Sequence, residues 1–457
     1  MLQQSTIHYD IRQARKMRCH WNAVNRWEYL LNMTTDRIFA HVVMSLLILI
    51  CGCSRSASIN QAPTLPSKDE KAAPTDLLSN ENVEASIAMA TDYLSRNVLS
   101  DGRFNYQVNM NPSVKLNRKY NMLRHAGTIY AMATQQQRVP NDKVKSTILE
   151  AANYLRDKAI GPVEGQEQLL AVWSDPAING TGDTLQAKLG GAGLGIVALT
   201  SVNKIEPGFI PIGDLQAIGR FILFMQQEDG SFYSKYSPTD GFDDWVSLYY
   251  PGEAALGLIM LYEQDGDEKW LIAALRALEY LATSRAGEWE APPDHWALIA
   301  TARILNCEDP RIENQRKLLV DHAVQICDTI IRDRAISRTA PEPYYGGFSA
   351  DGRTTPAATR LEGLLAAICF VPTDHDIRPL LEVAIDDGMR FLIRSQVREG
   401  EFAGAFPRAI GRIPEITPTM REFNQRSTEI RIDYVQHAVS AMIQFADLKM
   451  EPNGPLQ

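Results

Sequence analysis

The sequence predicts an all-α protein: six helical hairpins, with an outer ring of amphipathic helices around an inner ring of apolar ones. Two observations carry this expectation. A Gly-x-aromatic phrase recurs as Gly102-Arg103-Phe104, Gly230-Ser231-Phe232, Gly287-Glu288-Trp289, Gly346-Gly347-Phe348 and Gly400-Glu401-Phe402. The gaps are 128, 57, 59 and 54 residues. Halving the first leaves a nearly even period, on the scale of a helical hairpin pair. After residue 80, two kinds of helical pattern also alternate along the chain.

The first kind is long and amphipathic, over about 82–98, 143–158, 212–228, 268–284, 314–334 and 376–396. Trp270, Leu271, Ala274, Leu275, Leu278 and Leu281 show its 3.6-residue period. The second kind is more apolar and richer in Gly and Ala, over about 121–136, 188–202, 250–264, 294–306, 359–371 and 433–448. The run from Gly190 to Leu199 is apolar on every side. Such a helix must be buried on every side, and its glycines let neighbours approach closely. No segment keeps the two-residue strand period over a useful length, so little sheet is expected. Residues 81–457 are assigned to this one toroid domain. With 45% hydrophobic and 22% charged residues, the 457-residue chain has ample material for its core.

The amino-terminal segment reads differently. Residues 40–50 form an apolar run, too short to span a bilayer but suited to the core of a signal peptide. It leads into Ile50-Cys51-Gly52-Cys53-Ser54, which resembles a bacterial lipobox with Cys53 as the lipidated residue. About forty residues precede the apolar run, where a short stretch is normal. Residues 1–32 are therefore read as a mis-called start or an extension, and Met33 as the better start. Residues 1–53 form the signal and lipobox region. Residues 54–80, rich in Ser, Ala, Pro, Lys and Asp, form a flexible tether. The expected location is the bacterial cell envelope, with a membrane partner through the lipid. The net charge of −9 and the lack of a basic run argue against nucleic acid.

Gln226-Gln227-Glu228-Asp229-Gly230-Ser231-Phe232 and Gln396-Val397-Arg398-Glu399-Gly400-Glu401-Phe402 resemble the Q-x-x-x-G-x-aromatic repeat of terpenoid cyclases, with Phe where that family prefers Trp. With the helix alternation, the chain resembles the (α/α)6 toroid families: six-hairpin glycosidases, uronyl epimerases, polysaccharide lyases and terpenoid cyclases. The resemblance covers 82–448 and implies the toroid fold. Terpenoid cyclases carry D-x-D-D or D-D-x-x-D motifs. Asp240-Gly241-Phe242-Asp243-Asp244 matches neither, which argues against isoprenoid chemistry.

In such a ring the loops entering the inner helices gather at one mouth. The first turns there carry charge, imidazole or aromatic groups: Arg124 and His125; Lys188; Tyr249, Tyr250 and Glu253; Asp294, His295 and Trp296; Arg360 and Glu362; Asp433, Tyr434 and His437. Trp245 lies in the loop before the third inner helix. Buried charge is costly unless it is paired or binds something. Together these positions point to a polar cavity with aromatic walls. Each residue also has a structural use: Asp294 and Asp433 as helix caps, Glu253 and Glu362 as first-turn carboxylates, the histidines as satisfied core groups.

Asp433 and His437 are four apart on one helical face, as are Tyr249 and Glu253. A carboxylate beside an imidazole orients it and raises its basicity. Glu253, Asp433, His437, Tyr434 and His125 are the catalytic candidates. Arg124, Lys188, Trp245, Tyr249, Tyr250, Asp294, His295, Trp296, Arg360 and Glu362 are the binding candidates. No H-x-H, H-E-x-x-H or C-x-x-C spacing is present, so neither metal nor other cofactor is expected. The expected function is an envelope enzyme acting on glycans, by hydrolysis, elimination or epimerisation. The alternatives are a non-catalytic glycan- or peptide-binding module and a terpenoid-cyclase-like enzyme.

Overall fold

The computed structural model describes residues 76–450, apart from 117–118, 181–183 and 338–342. The signal region, Cys53 and nearly all of the tether lie outside the described residues. Among the described residues, twelve long helices alternate between two layers. The inner ones are α2 (Met122–Arg138), α5 (Leu189–Ile205), α7 (Tyr250–Asp265), α9 (His295–Ile304), α11 (Thr354–Ile368) and α14 (Ile432–Met450). Each packs on the next, and α14 returns to α2, so the inner ring closes. The outer ones are α1 (Asn80–Arg96), α3 (Asp142–Tyr154), α6 (Ile212–Met225), α8 (Glu268–Arg285), α10 (Pro310–Ser337) and α12 (Arg378–Arg394). Two short helices, α4 (Pro176–Asn179) and α13 (Pro418–Arg426), lie in loops.

Burial follows the two patterns. Every residue of α5 from Leu189 to Val202 is buried, and so is every residue of α9. Outer α1 buries one stripe, including Val83, Ile87, Ala90 and Leu94, and leaves the opposite face to solvent. Helices α5 and α7 approach closely because Gly193 and Gly257 face each other. A Cβ on Gly257 would lie 2.7 Å from the Gly193 carbonyl oxygen. A larger residue at either position would force the helices apart.

The repeated phrase ties neighbouring outer helices together. Gln226, at the end of α6, donates to the Ala273 carbonyl of α8 at 2.9 Å. Gln396, after α12, donates to Ser86 of α1 at 2.9 Å. Gly102, Gly230 and Gly346 have positive φ and sit where a Cβ would strike a backbone carbonyl of the following outer helix. Two members of the series depart. Trp289 is largely exposed, and Gly287 and Gly400 meet nothing. The tight contact expected at Gly400 is made by Gly404, whose phrase Gly404-Ala405-Phe406 buries its aromatic ring fully.

Sheet is more extensive than the sequence suggests. Strands β2 (Ile160–Val163), β3 (Gln166–Ser174), β4 (Gln186–Lys188), β5 (Lys235–Ser237) and β6 (Gly241–Phe242) form an antiparallel sheet in that order. A second sheet pairs β1 (Gln107–Asn109) with β7 (Glu429–Arg431). The strands are mostly two to four residues long, too short to show a period. Longer β3 buries Leu169, Ala171, Val172 and Ser174 in no strict alternation. Strands β4 and β7 run directly into inner helices α5 and α14.

Candidate functional site

The amino-terminal ends of the inner helices surround a cavity of about 500 Å³. Ten of the residues singled out from sequence line it: Arg124, Tyr249, Tyr250, Glu253, His295, Trp296, Arg360, Asp433, Tyr434 and His437.

His437 and His295 form the centre. Their ring centroids are 5.3 Å apart, at 77° to each other. The His437 Nδ1 lies 2.7 Å from Oε2 of Glu362, which comes from the neighbouring helix and is 1% exposed. That contact leaves Nε2 of His437 for the cavity. Burial works against a charged ring, but the Glu362 charge and hydrogen bond outweigh it, with help from Asp433. The His437 pKa is therefore raised above its ordinary value. Among the described residues, neither ring nitrogen of buried His295 has a hydrogen-bond partner. Burial, with the His437 and Arg360 charges, holds its pKa well below the usual imidazole value. Two imidazoles of opposite tendency thus sit side by side, with Tyr249 and Trp296 packed on His295.

Glu253 lies close by in the first turn of α7. Its Oε2 is buried without a partner, against the part of α5 where Gly190 leaves room for it. Burial, with the charge of Asp294, pushes its carboxyl up to about 8, despite the opposing pull of Arg124. At neutral pH this side chain is an acid that keeps its proton.

Asp433 behaves in the opposite way. Arg431 grips both of its oxygens, at 2.5 and 2.9 Å, and Arg124 Nε reaches it at 3.0 Å. Burial alone would raise its pKa, but the two guanidinium groups hold it lowered. Tyr434 donates to Glu429 at 2.7 Å, and Glu429 is paired with Arg426.

Five candidates lie elsewhere. His125 is fully buried away from the cavity. Its Nδ1 meets the Tyr120 hydroxyl at 2.7 Å, its Nε2 meets the Ala151 carbonyl at 2.9 Å, and burial lowers its pKa to about 4. Both nitrogens are thus occupied, which corrects its expected place at the mouth. Asp294 caps α9 through the Ala297 amide and pairs with Arg285 at 3.2 Å, in the core. Lys188 ends β4, opposite Lys235. Trp245 is half exposed, edge-on to Tyr250. Glu362 stands behind His437 and does not line the cavity.

The sequence reading missed Arg353, Thr355, Arg408, Arg426, Arg431 and Gln436, which also line the cavity. Helix α11 starts at Thr354, earlier than the expected 359, which brings Arg353 and Thr355 to the mouth. Arginines recurring at 408, 412, 421, 426 and 431, in the loop before the last inner helix, were the available signal.

His295, Glu362 and His437 also have ligand atoms within 4.8 Å of one another, the spread of a metal site. As placed, the Glu362–His437 contact is a hydrogen bond, and an ion bound to both would have to separate them.

No family model and no curated protein matches the sequence. Solved structures do match. A D-mannose isomerase superposes with TM-score 0.56 and 13% identity, covering 83% of this chain and 100% of its own. The cellobiose 2-epimerase of Bacillus thermoamylovorans gives 0.58 at 9% identity, covering 80% and 98%. An unsaturated glucuronyl hydrolase specific for heparin gives 0.54 at 11%, covering 82% and 100%. The chain is an (α/α)6 toroid. At these identities the likeness establishes the fold and leaves the chemistry to the residues of the cavity.

Proposed function

We propose that the protein is a sugar epimerase or isomerase, moving a proton at the carbon beside the carbonyl of an open-chain sugar. The observation that carries this is the pairing of His437, oriented by Glu362, with His295, whose ring nitrogens make no hydrogen bond among the described residues and whose Nε2 lies 3.7 Å from the same Glu362. One imidazole takes the C–H proton, and the electron pair moves onto the carbonyl oxygen to give an enediolate. Protonated Glu253 stabilises that oxygen. Return of a proton to the opposite face of the same carbon gives the epimer. Return to the adjacent carbon, with the hydroxyl proton passing from one enediolate oxygen to the other, gives the isomer.

Hydrolysis needs two carboxylates flanking one bond. Asp433 is held by two arginines and Glu362 is covered by His437, so Glu253 stands alone. The D-mannose isomerase and cellobiose 2-epimerase named above support the reading. Attachment to the cell envelope through Cys53 belongs to the same proposal, supported by the apolar run and the lipobox-like residues.

The test is incubation of the protein with aldoses and ketoses in D2O, followed by NMR and mass spectrometry. Deuterium at the carbon next to the carbonyl, lost in His437→Asn, is the expected result. Cleavage of glycosides with no deuterium incorporated at that carbon would overturn the proposal.

A further inference from the structure

The cavity is far more basic than the molecule around it. Six arginines line it in a chain of net charge −9: Arg124, Arg353, Arg360, Arg408, Arg426 and Arg431. Three are matched by buried carboxylates, since Asp433 holds Arg124 and Arg431, and Glu429 holds Arg426. The other three are not. Among the described residues Arg353 pairs with Asp351 through its Nε, which leaves its terminal nitrogens for the cavity. Arg360 reaches partly exposed Asp333 at 3.5 Å, and its own Nε is buried without a partner. Arg408 has no carboxylate in salt-bridge reach among the described residues, and its guanidinium lies 5.0 Å over the Phe423 ring.

These three converge. Arg353 and Arg408 sit on neighbouring backbone, where residue 353 bridges Ala409 and the Thr354 amide donates to the Arg408 carbonyl at 3.0 Å. The charge of Arg353 is felt at both Arg360 and Arg408. The same place is the amino terminus of α11, whose dipole adds partial positive charge. There the Thr355 hydroxyl is also buried without a partner. Cations held by partly exposed carboxylates or by none, beside unpaired polar atoms, leave positive charge uncompensated at this wall of the cavity. A bound oxyanion would satisfy them together, since guanidinium forks match planar and tetrahedral oxyanions.

We infer that Arg353, Thr355, Arg360 and Arg408 form an oxyanion subsite, and that the substrate is an anionic sugar: one bearing a carboxylate, phosphate or sulfate group. This rests on the cavity being the sugar site. The anionic group anchors at α11 while the reacting carbon lies at the histidine pair. Arg124 and Arg431 are excluded from the role because Asp433 already occupies them.

The experiment is calorimetry on the full-length protein with glucose, glucuronate, glucose 6-phosphate and glucose 6-sulfate, repeated on Arg353→Met/Arg408→Met. Both residues are partly exposed, so the variant should fold, and its melting curve checks this. The expected result is at least one anionic sugar binding about tenfold or more tighter than glucose, a preference that weakens with salt and is lost in the variant. The anion that binds tightest identifies the group. Equal affinity for glucose and every anionic sugar overturns the inference on wild-type protein alone, and so does a preference that survives in the folded variant. Binding needs no turnover. An anion preference without deuterium exchange keeps the inference and sinks the proton-transfer reading. Exchange on neutral sugars, unaffected by the variant, does the reverse.

Discussion

Glu253 offers the sharpest test of the cavity's electrostatics. Its carboxyl is pushed from an ordinary 4.5 up to about 8 by burial and by Asp294. The sign follows from which state holds the proton. Between those two values the folded protein keeps a proton that the unfolded chain has released. Stability therefore falls as pH rises, by about 1.4 kcal/mol per pH unit. The loss is absent below pH 4.5 and complete above 8. Glu253→Gln removes the titration while keeping shape and an N–H donor. Between pH 5 and 7.5 the wild type should lose about 3 kcal/mol relative to this variant. Urea unfolding of both proteins at the two pH values gives the number, and the comparison cancels the titrating groups that do not interact with Glu253. If both lose stability in parallel, Glu253 is not a protonated acid, and its role as proton-holding partner of the enediolate falls with it.

The other predictions concern single contacts. Glu362→Gln removes the charge that raises His437, so the acidic limb of the pH–rate profile, set by deprotonation of His437, should move to lower pH; an unmoved limb would take Glu362 out of the mechanism. Asp433→Ala leaves the half-buried Arg124 and Arg431 without their shared carboxylate, and should cost about 2 kcal/mol in denaturant unfolding. Gly252→Leu should destabilise by about 3 kcal/mol or more through overpacking, because even a Cβ there would lie 2.6 Å from the Ala297 amide. A Cβ on Gly191 meets Leu123 at an ordinary 3.5 Å, so Gly191→Leu should cost less. Chelation with EDTA should leave turnover unchanged; loss restored by added metal would show His295, Glu362 and His437 binding an ion.

The hairpin architecture was legible because it is periodic. A helix apolar on all sides, such as α5, has one place to go, and six of them alternating with one-sided helices leave little but a double ring. The Gly-x-aromatic phrase was legible for the same reason. Its register slipped at Gly400 because Gly404-Ala405-Phe406 offers the same pattern four residues later, and only the packing of Gly404 on α1 distinguishes them. The strands were not legible because two to four residues carry no usable period.

The site divides along a similar line. A polar or aromatic residue near the start of an apolar helix can be read from one helix alone, and ten such residues do meet in the cavity. Pairing cannot be read that way. Asp433 and His437 are neighbours on one face, and the sequence suggests them as a pair. The stronger partner of His437 is Glu362, 75 residues away on the adjacent helix, while Asp433 is taken by Arg124, from the other end of the chain. A ring brings each inner helix against two others, so a side chain at the mouth has more choices between helices than within its own. His125 shows the same principle in reverse. It sits one position from Arg124, yet on a helix the next residue turns by about 100°. That step carries it out of the cavity, toward the Ala151 carbonyl of outer α3. In a closed double ring, the face of the inner helix decides whether a polar residue acts on a ligand or holds the two rings together, and a single position in sequence separates the two roles.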